Sequence, residues 1–201
     1  MELGVGTAGA VLAASTGCSE SNPEEDAAEP KNILVTYYSE TGNTEKIARA
    51  ISEETSRADV TVMKKLEDVR PEDVGAYHII FIGSPVHGNQ LNGNVKYFLE
   101  DLAPSSGQKI AGFVTHGAAS YADQEMNLVA EPLKTACQDK GMEYKGCFNC
   151  QGAVGEFLYD MMKSELNLSE DEWDEWVLEM KRHPNEDDAV HARRFAREVL
   201  A

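Results

Sequence analysis

From Lys31 onward, apolar runs of strand length alternate with stretches of helical period, and few soluble architectures accommodate that order. The run NILVTYY reads as a buried strand, and the stretch from residue 44 to about 56 then places Ile47, Ala48 and Ile51 on one helical face. ADVTVMKK is a second, shorter strand. YHIIFIGSP is a continuous apolar run that Gly83 and Pro85 are predicted to stop; NVKYFLEDL is helical, and KIAGFVTHG is a strand ending in Gly117. Residues 124–140 carry helical spacing through Met126, Val129, Leu133 and Ala136, EYKGCFNCQG closes as a strand, and 187–200 is an amphipathic helix. Five strands separated by helices predict an α/β fold with a doubly wound, five-stranded parallel sheet and helices on both faces.

The chain divides into a leader with an acidic linker, residues 1–30, and one domain, residues 31–201, long enough for a sizeable core. Its formal charge of −17 over 201 residues argues against nucleic acid as a partner, because phosphate backbones are held by clustered Lys and Arg. Much of the acid lies in the linker SESNPEEDAAEP and in residues 165–188, so the charge does not describe the central fold. Residues 3–17, LGVGTAGAVLAASTG, are small and apolar but too short to span a bilayer. With Ser15, Thr16 and Gly17 ahead of Cys18, the segment resembles a lipoprotein signal in which Cys18 is the residue to be lipidated. No Lys or Arg precedes it, and it also resembles the body of a twin-arginine signal whose start lies upstream. The resemblance implies a protein held at the extracytoplasmic face of the cell membrane; a tail with an unmodified cysteine would leave it cytoplasmic.

In a sheet of this kind ligands bind beyond the carboxyl ends of the strands. Three strand-end loops here are more than connectors: SETGNT after the first strand, GSPVHGNQLNGN after the third and THGAASYAD after the fourth. A helix cap accounts for one or two of the polar residues in SETGNT, but not for all of them together. The order strand, [Ser/Thr]-x-Thr-Gly-Asn-Thr, helix resembles the phosphate loop of the flavodoxin family, itself a standard example of binding at this switch point. By that resemblance Ser39, Glu40, Thr41, Gly42, Asn43 and Thr44 form the loop that binds the phosphate of FMN through hydroxyl, amide and backbone donors, Gly42 letting the main chain approach. No lysine follows Gly42, which separates the loop from a nucleotide P-loop.

The second loop is similar to the family's flavin-flanking turn, giving Ser84, Pro85, Val86, His87, Gly88 and Asn89 to the cofactor site. His87 stands where relatives often carry an aromatic, and His78 replaces the Asp usual at the start of that strand. The third loop resembles the one that holds the pyrimidine edge of the flavin, with backbone groups of Thr115, His116, Gly117, Ala118 and Ala119, and with Tyr121 as a stacking ring. Cys147 and Cys150 are three apart in a strand, so they face opposite sides and read as buried structural thiols; Cys137 reads as core. No metal site is expected. Residues 156–182 exceed a minimal connection and predict one or two short helices before the last one, with Ser169 and Glu172 as a capping box and Leu158, Met161, Met162, Leu166, Trp173, Trp176, Val177 and Met180 as the apolar positions of a covering lid. The resemblance implies an FMN-binding electron-transfer protein serving redox partner proteins or quinone-type acceptors. An FMN-dependent reductase of small acceptors and a flavin-free binding module on the same fold are the alternatives.

Overall fold

The computed structural model describes Met1, Gly4 and residues 29–118 and 123–201, of which Asp123 and Gln124 by backbone alone. Cys18, Ala119 and Tyr121 lie outside the described residues.

Strands β1 (Asn32–Tyr37), β2 (Val60–Lys65), β3 (Ile79–His87), β5 (Lys109–His116) and β6 (Glu143–Gln151) form a parallel sheet in the order β2-β1-β3-β5-β6, and the short β4 (Gln90–Leu91) pairs antiparallel with β3. The long strands are apolar on both faces, as a sheet covered on two sides requires. Leu34, Ile80, Ile82, Ile110 and Val114 pack under α2 (Gly93–Asp101) and α3 (Asp123–Lys140). The alternate residues Ile33, Val35, Ile79, Phe81, Ala111 and Phe113 pack under α1 (Asn43–Thr55) and α6 (Glu186–Leu200). The sheet is thus doubly wound, and the winding reverses between β1 and β3, where the first two loops leave it.

One expectation is corrected. Gly83 and Pro85 do not stop the third strand, which runs on to His87. Gly83 is required inside the strand because a Cβ there would enter the Phe113 ring. Pro85 pairs in register with Thr115 of β5, while the ladder to β1 has already ended at Tyr37 opposite Gly83, so the missing proline N–H leaves no gap in that ladder. The loop after the third strand is therefore a tight hairpin. Val86 and His87 pair with Leu91 and Gln90, and Gly88 and Asn89 carry φ of 54° and 59°, the two positive values of a type I′ turn.

The stretch before the last helix forms α4 (Tyr159–Leu166) and α5 (Glu170–Lys181), preceded by a single 3₁₀ turn over Glu156–Leu158. Ser169 and Glu172 make the expected capping box. The pair has a small core of its own: Trp173 meets Tyr159 edge to face at 5.6 Å and stacks on Trp176 at 5.2 Å. Of its apolar residues, Trp173 and Met180 are buried, whereas Met161 and Leu166 face solvent, as do Phe157 and Leu178. Two short helices with one seam cannot cover every apolar position. Helix α6 starts at a second capping box, Asn185 with Asp188, which the sequence reading did not anticipate.

Candidate functional site

The site is built from the carboxyl ends of β1, β3 and β5, with one contribution from β6. The first component is the start of α1. Gly42 is its N-cap at φ 85°, a left-handed conformation that glycine adopts without strain, and a Cβ there would meet nothing within 4 Å. No side chain caps this helix. In α2, α5 and α6 the caps are Asn92, Ser169 and Asn185. Among the described residues, the first-turn N–H groups of α1 are thus left without a side-chain cap at the positive end of a helix dipole.

Each loop side chain has a defined place. The Ser39 hydroxyl accepts from the Gly42 N–H at 3.1 Å and closes the turn, and its own proton remains available as a donor. Asn43 donates its amide to Thr41 Oγ1 at 2.9 Å and to the Ala153 carbonyl at 2.6 Å, and the Thr41 hydroxyl donates to that same carbonyl at 3.3 Å. Thr44 is buried, and its hydroxyl shares a proton with Thr115 at 2.9 Å. Asn43 and Thr44, with the long Thr41 bond, therefore fasten the loop to β5 and to the segment after β6; Ser39, the exposed Thr41 side chain and the backbone form its outer side.

The residues after β6 were missed by the sequence reading. Gly152 donates its N–H to His116 O at 2.8 Å, Gln151 donates to Gly117 O at 3.2 Å, and Val154 donates its N–H to Met180 Sδ at 3.5 Å. A side chain on Gly152 would press on Asn43, and one on Gly117 would meet Val154. Residues 151–154 thus strap the phosphate-type loop, the end of β5 and α5 together. The available signal was the pair Gly152 and Gly155 just after a strand, which marks close backbone approach.

In the second component, Ser84 is buried and its hydroxyl accepts from the Asn92 N–H at 2.9 Å, holding the base of the hairpin. Pro85 and Val86 are half-buried, and His87 stands at the tip. Its Nε2 lies 3.0 Å from Glu40 Oε2 of the first loop, with the two side chains 46% and 38% exposed, and its Nδ1 lies 3.5 Å from the Asn92 amide. This pair joins two loops that share no strand.

In the third component, Thr115 and His116 belong to β5 rather than to a loop; they pair with Cys150 and Gln151, and the His116 carbonyl is taken by Gly152. These two backbones are therefore committed to the sheet, paired to β6 as far as its last residue, Gln151. The His116 ring is buried and holds the turn beyond the strand: Nδ1–H donates to Ala118 O at 3.0 Å, and Nε2 meets the Asn149 side chain at 3.0 Å. Burial pushes its pKa below the ordinary histidine range, against the opposing pull of the Asn149 Oδ1 and Ala118 carbonyl contacts. Gly117 and Ala118 are left at the rim, half-buried.

The cysteines are as expected. Cys147 packs on the α3 side and Cys150 on the α1 side of β6. Burial raises the thiols of Cys137 to about 11 and of Cys147 to about 12, and raises that of Cys150 as well, so they are not reactive thiolates at neutral pH. His78 accepts the Asn32 N–H on Nδ1 at 2.9 Å and serves the amino end of the sheet. Among the described residues no group of three or more His, Cys, Asp or Glu is placed to hold a metal, and no helix is long and apolar enough to cross a membrane.

The chain matches the flavodoxin domain family over residues 34–197. It is 31% identical over 175 residues to the flavodoxin-like domain-containing protein BilS of Clostridioides difficile, a stretch covering 83% of this chain and 95% of that protein. It is 33% identical over 92 residues to a flavodoxin of Megasphaera elsdenii, 44% of this chain and 67% of that one. Among solved structures, two-electron reduced Megasphaera elsdenii flavodoxin superposes with a TM-score of 0.50 at 27% identity, covering 58% of this chain and 84% of its own. The flavodoxin of Streptococcus pneumonia TIGR4 superposes with a TM-score of 0.58 at 16% identity, covering 84% and 97%, a likeness of fold alone.

Proposed function

The chain belongs to the flavodoxin family, and from that membership we propose that it binds one FMN at the carboxyl edge of the sheet and acts in electron transfer. The observation that carries the reading is the open start of α1, a helix N-terminus without a side-chain cap behind a left-handed Gly42 with free space around it, flanked by the Ser39 and Thr41 hydroxyls. This donor set fits a phosphate monoester: oriented N–H groups, two hydroxyls, a favourable dipole and no cation. When bound, FMN supplies reversible one- and two-electron chemistry that no side chain here provides.

The chain's own residues supply position and surroundings. Ser39, Thr41 and the backbone from Gly42 to Glu45 would hold the phosphate, with Asn43 and Thr44 fixing the loop. The hairpin from Ser84 to Asn89 would flank the ring, and the turn at Gly117 and Ala118, steadied by His116, would meet its polar edge. The strap at 151–154 and α5 behind it would keep water from that side.

Redox proteins and quinone-type acceptors are the proposed partners. Attachment through Cys18 would place the domain at the outer face of the membrane on an acidic tether, residues 19–30. A Cys18→Ser variant should then leave the membrane fraction.

The test of function is direct. The purified full chain should be yellow and should release FMN in a ratio of one per chain on denaturation, and the bound flavin should be reduced and reoxidised reversibly. A chain that stays colourless after incubation with excess FMN would favour the flavin-free binding module instead.

A further inference from the structure

Glu40 is an anomaly in a loop that has to receive a phosphate. It is the one charged residue of SETGNT, and its carboxylate opposes a dianion bound beside it. The structure turns that carboxylate onto His87 Nε2 at 3.0 Å, across the gap between the β1 loop and the tip of the β3–β4 hairpin. Among the described residues, the other side of the imidazole meets a neutral group, the Asn92 amide at 3.5 Å. From α2, Lys96 is turned away to Gln90 Oε1 at 2.9 Å, and β4 presents the neutral Gln90 opposite His87. Among the described residues, Glu40 is therefore the charged group that the contacts bring against His87 from the elements around it.

We propose that Glu40 and His87 form a proton-operated latch that ties the phosphate loop to the ring-flanking hairpin and makes cofactor affinity depend on pH. The inference rests on the FMN reading and specifies how that site is regulated. With His87 protonated, the ion pair neutralises Glu40 and holds the two loops together, so the phosphate meets a loop without net charge. When the ring is neutral, the carboxylate charge is left uncompensated beside the phosphate and the tie is reduced from an ion pair to a hydrogen bond from Nε2–H. Histidine is the side chain suited to this because its charge changes within the range that cells and their surroundings span. Both residues act as positioning residues.

The experiment is a double-mutant cycle in FMN affinity, with Glu40→Gln, His87→Gln and the double variant of the full chain titrated with FMN by flavin fluorescence at pH 6 and pH 8. Comparison within the cycle removes the ionisation of the FMN phosphate itself, which is common to all four proteins. The coupling between the two positions should be about threefold in dissociation constant at pH 6, the scale of an exposed ion pair, and should be clearly weaker at pH 8. A His87→Lys variant, which keeps a cation at both pH values, should retain the coupling with Glu40 at both. Tight FMN binding by all variants with no coupling at pH 6, or with equal coupling at both pH values, overturns the latch and leaves the FMN reading intact. Absence of FMN binding by the unaltered chain at either pH overturns both.

Discussion

Two glycines and one histidine carry distinct physical demands at the residue scale. Gly42 needs a left-handed backbone but has open space, so Gly42→Ala should cost about 1–2 kcal/mol of stability from backbone strain alone, read as a shift in urea midpoint. Gly83 has an ordinary backbone but no room, and Gly83→Ala forces the Phe113 ring to move, at a cost of about 1–3 kcal/mol in the same assay. His116 makes stability depend on pH. Its burial holds the folded-state pKa below the ordinary value, so the unfolded chain binds the proton more tightly. Its contribution is fully present above the ordinary histidine range and is lost as pH falls through that range toward the folded value. A His116→Asn variant should therefore lose less stability than the unaltered chain between pH 7.5 and pH 5.5. Parallel declines would show that protonation of this ring does not oppose folding.

The helix starts set the expectations at the element scale. Ser169→Ala and Asn185→Ala each remove a capping box and should cost about 1 kcal/mol in thermal or urea unfolding. Helix α1 has no such cap to remove, so amide exchange in its first turn should slow on addition of FMN more than at the starts of α5 and α6. Equal slowing at all three helix starts would place the ligand elsewhere. The elements themselves were legible because both faces of the sheet are buried and each run of residues had one period. Helix α1 begins one residue earlier than expected, at Asn43. What could not be read was long-range. That β3 passes through Gly83 and Pro85 depends on where β1 ends beside it, and that the Asn43 amide reaches Ala153 depends on a segment 110 residues away. The polar character of SETGNT was visible in sequence, but its division into outward donors and inward fasteners required the fold. Glu40 and His87 were both named as site residues, yet their contact joins separate loops and left no local signal.

For the whole molecule, a formal charge of −17 makes the folded state repel itself, so added salt should raise its stability, most steeply below about 0.1 M, where screening over a 10 Å range sets in. Ligand linkage acts on the same quantity: FMN at a hundred times its dissociation constant should add about 2.7 kcal/mol to the unfolding free energy. The central claim is narrower than stability: the open start of α1, with Ser39 and Thr41, holds a phosphate. It is tested by titrating the chain and its Ser39→Ala/Thr41→Ala variant with FMN and with riboflavin, which lacks that group. Thr44 is left in place because its buried bond to Thr115 serves the fold. Each hydroxyl bond to a charged group is worth about 1.5–3 kcal/mol, so the account predicts that the unaltered chain binds FMN at least tenfold more tightly than riboflavin. The variant should lose at least tenfold toward FMN and leave riboflavin nearly unchanged. Equal affinity of the unaltered chain for FMN and riboflavin, or equal losses toward both in the variant, would contradict it.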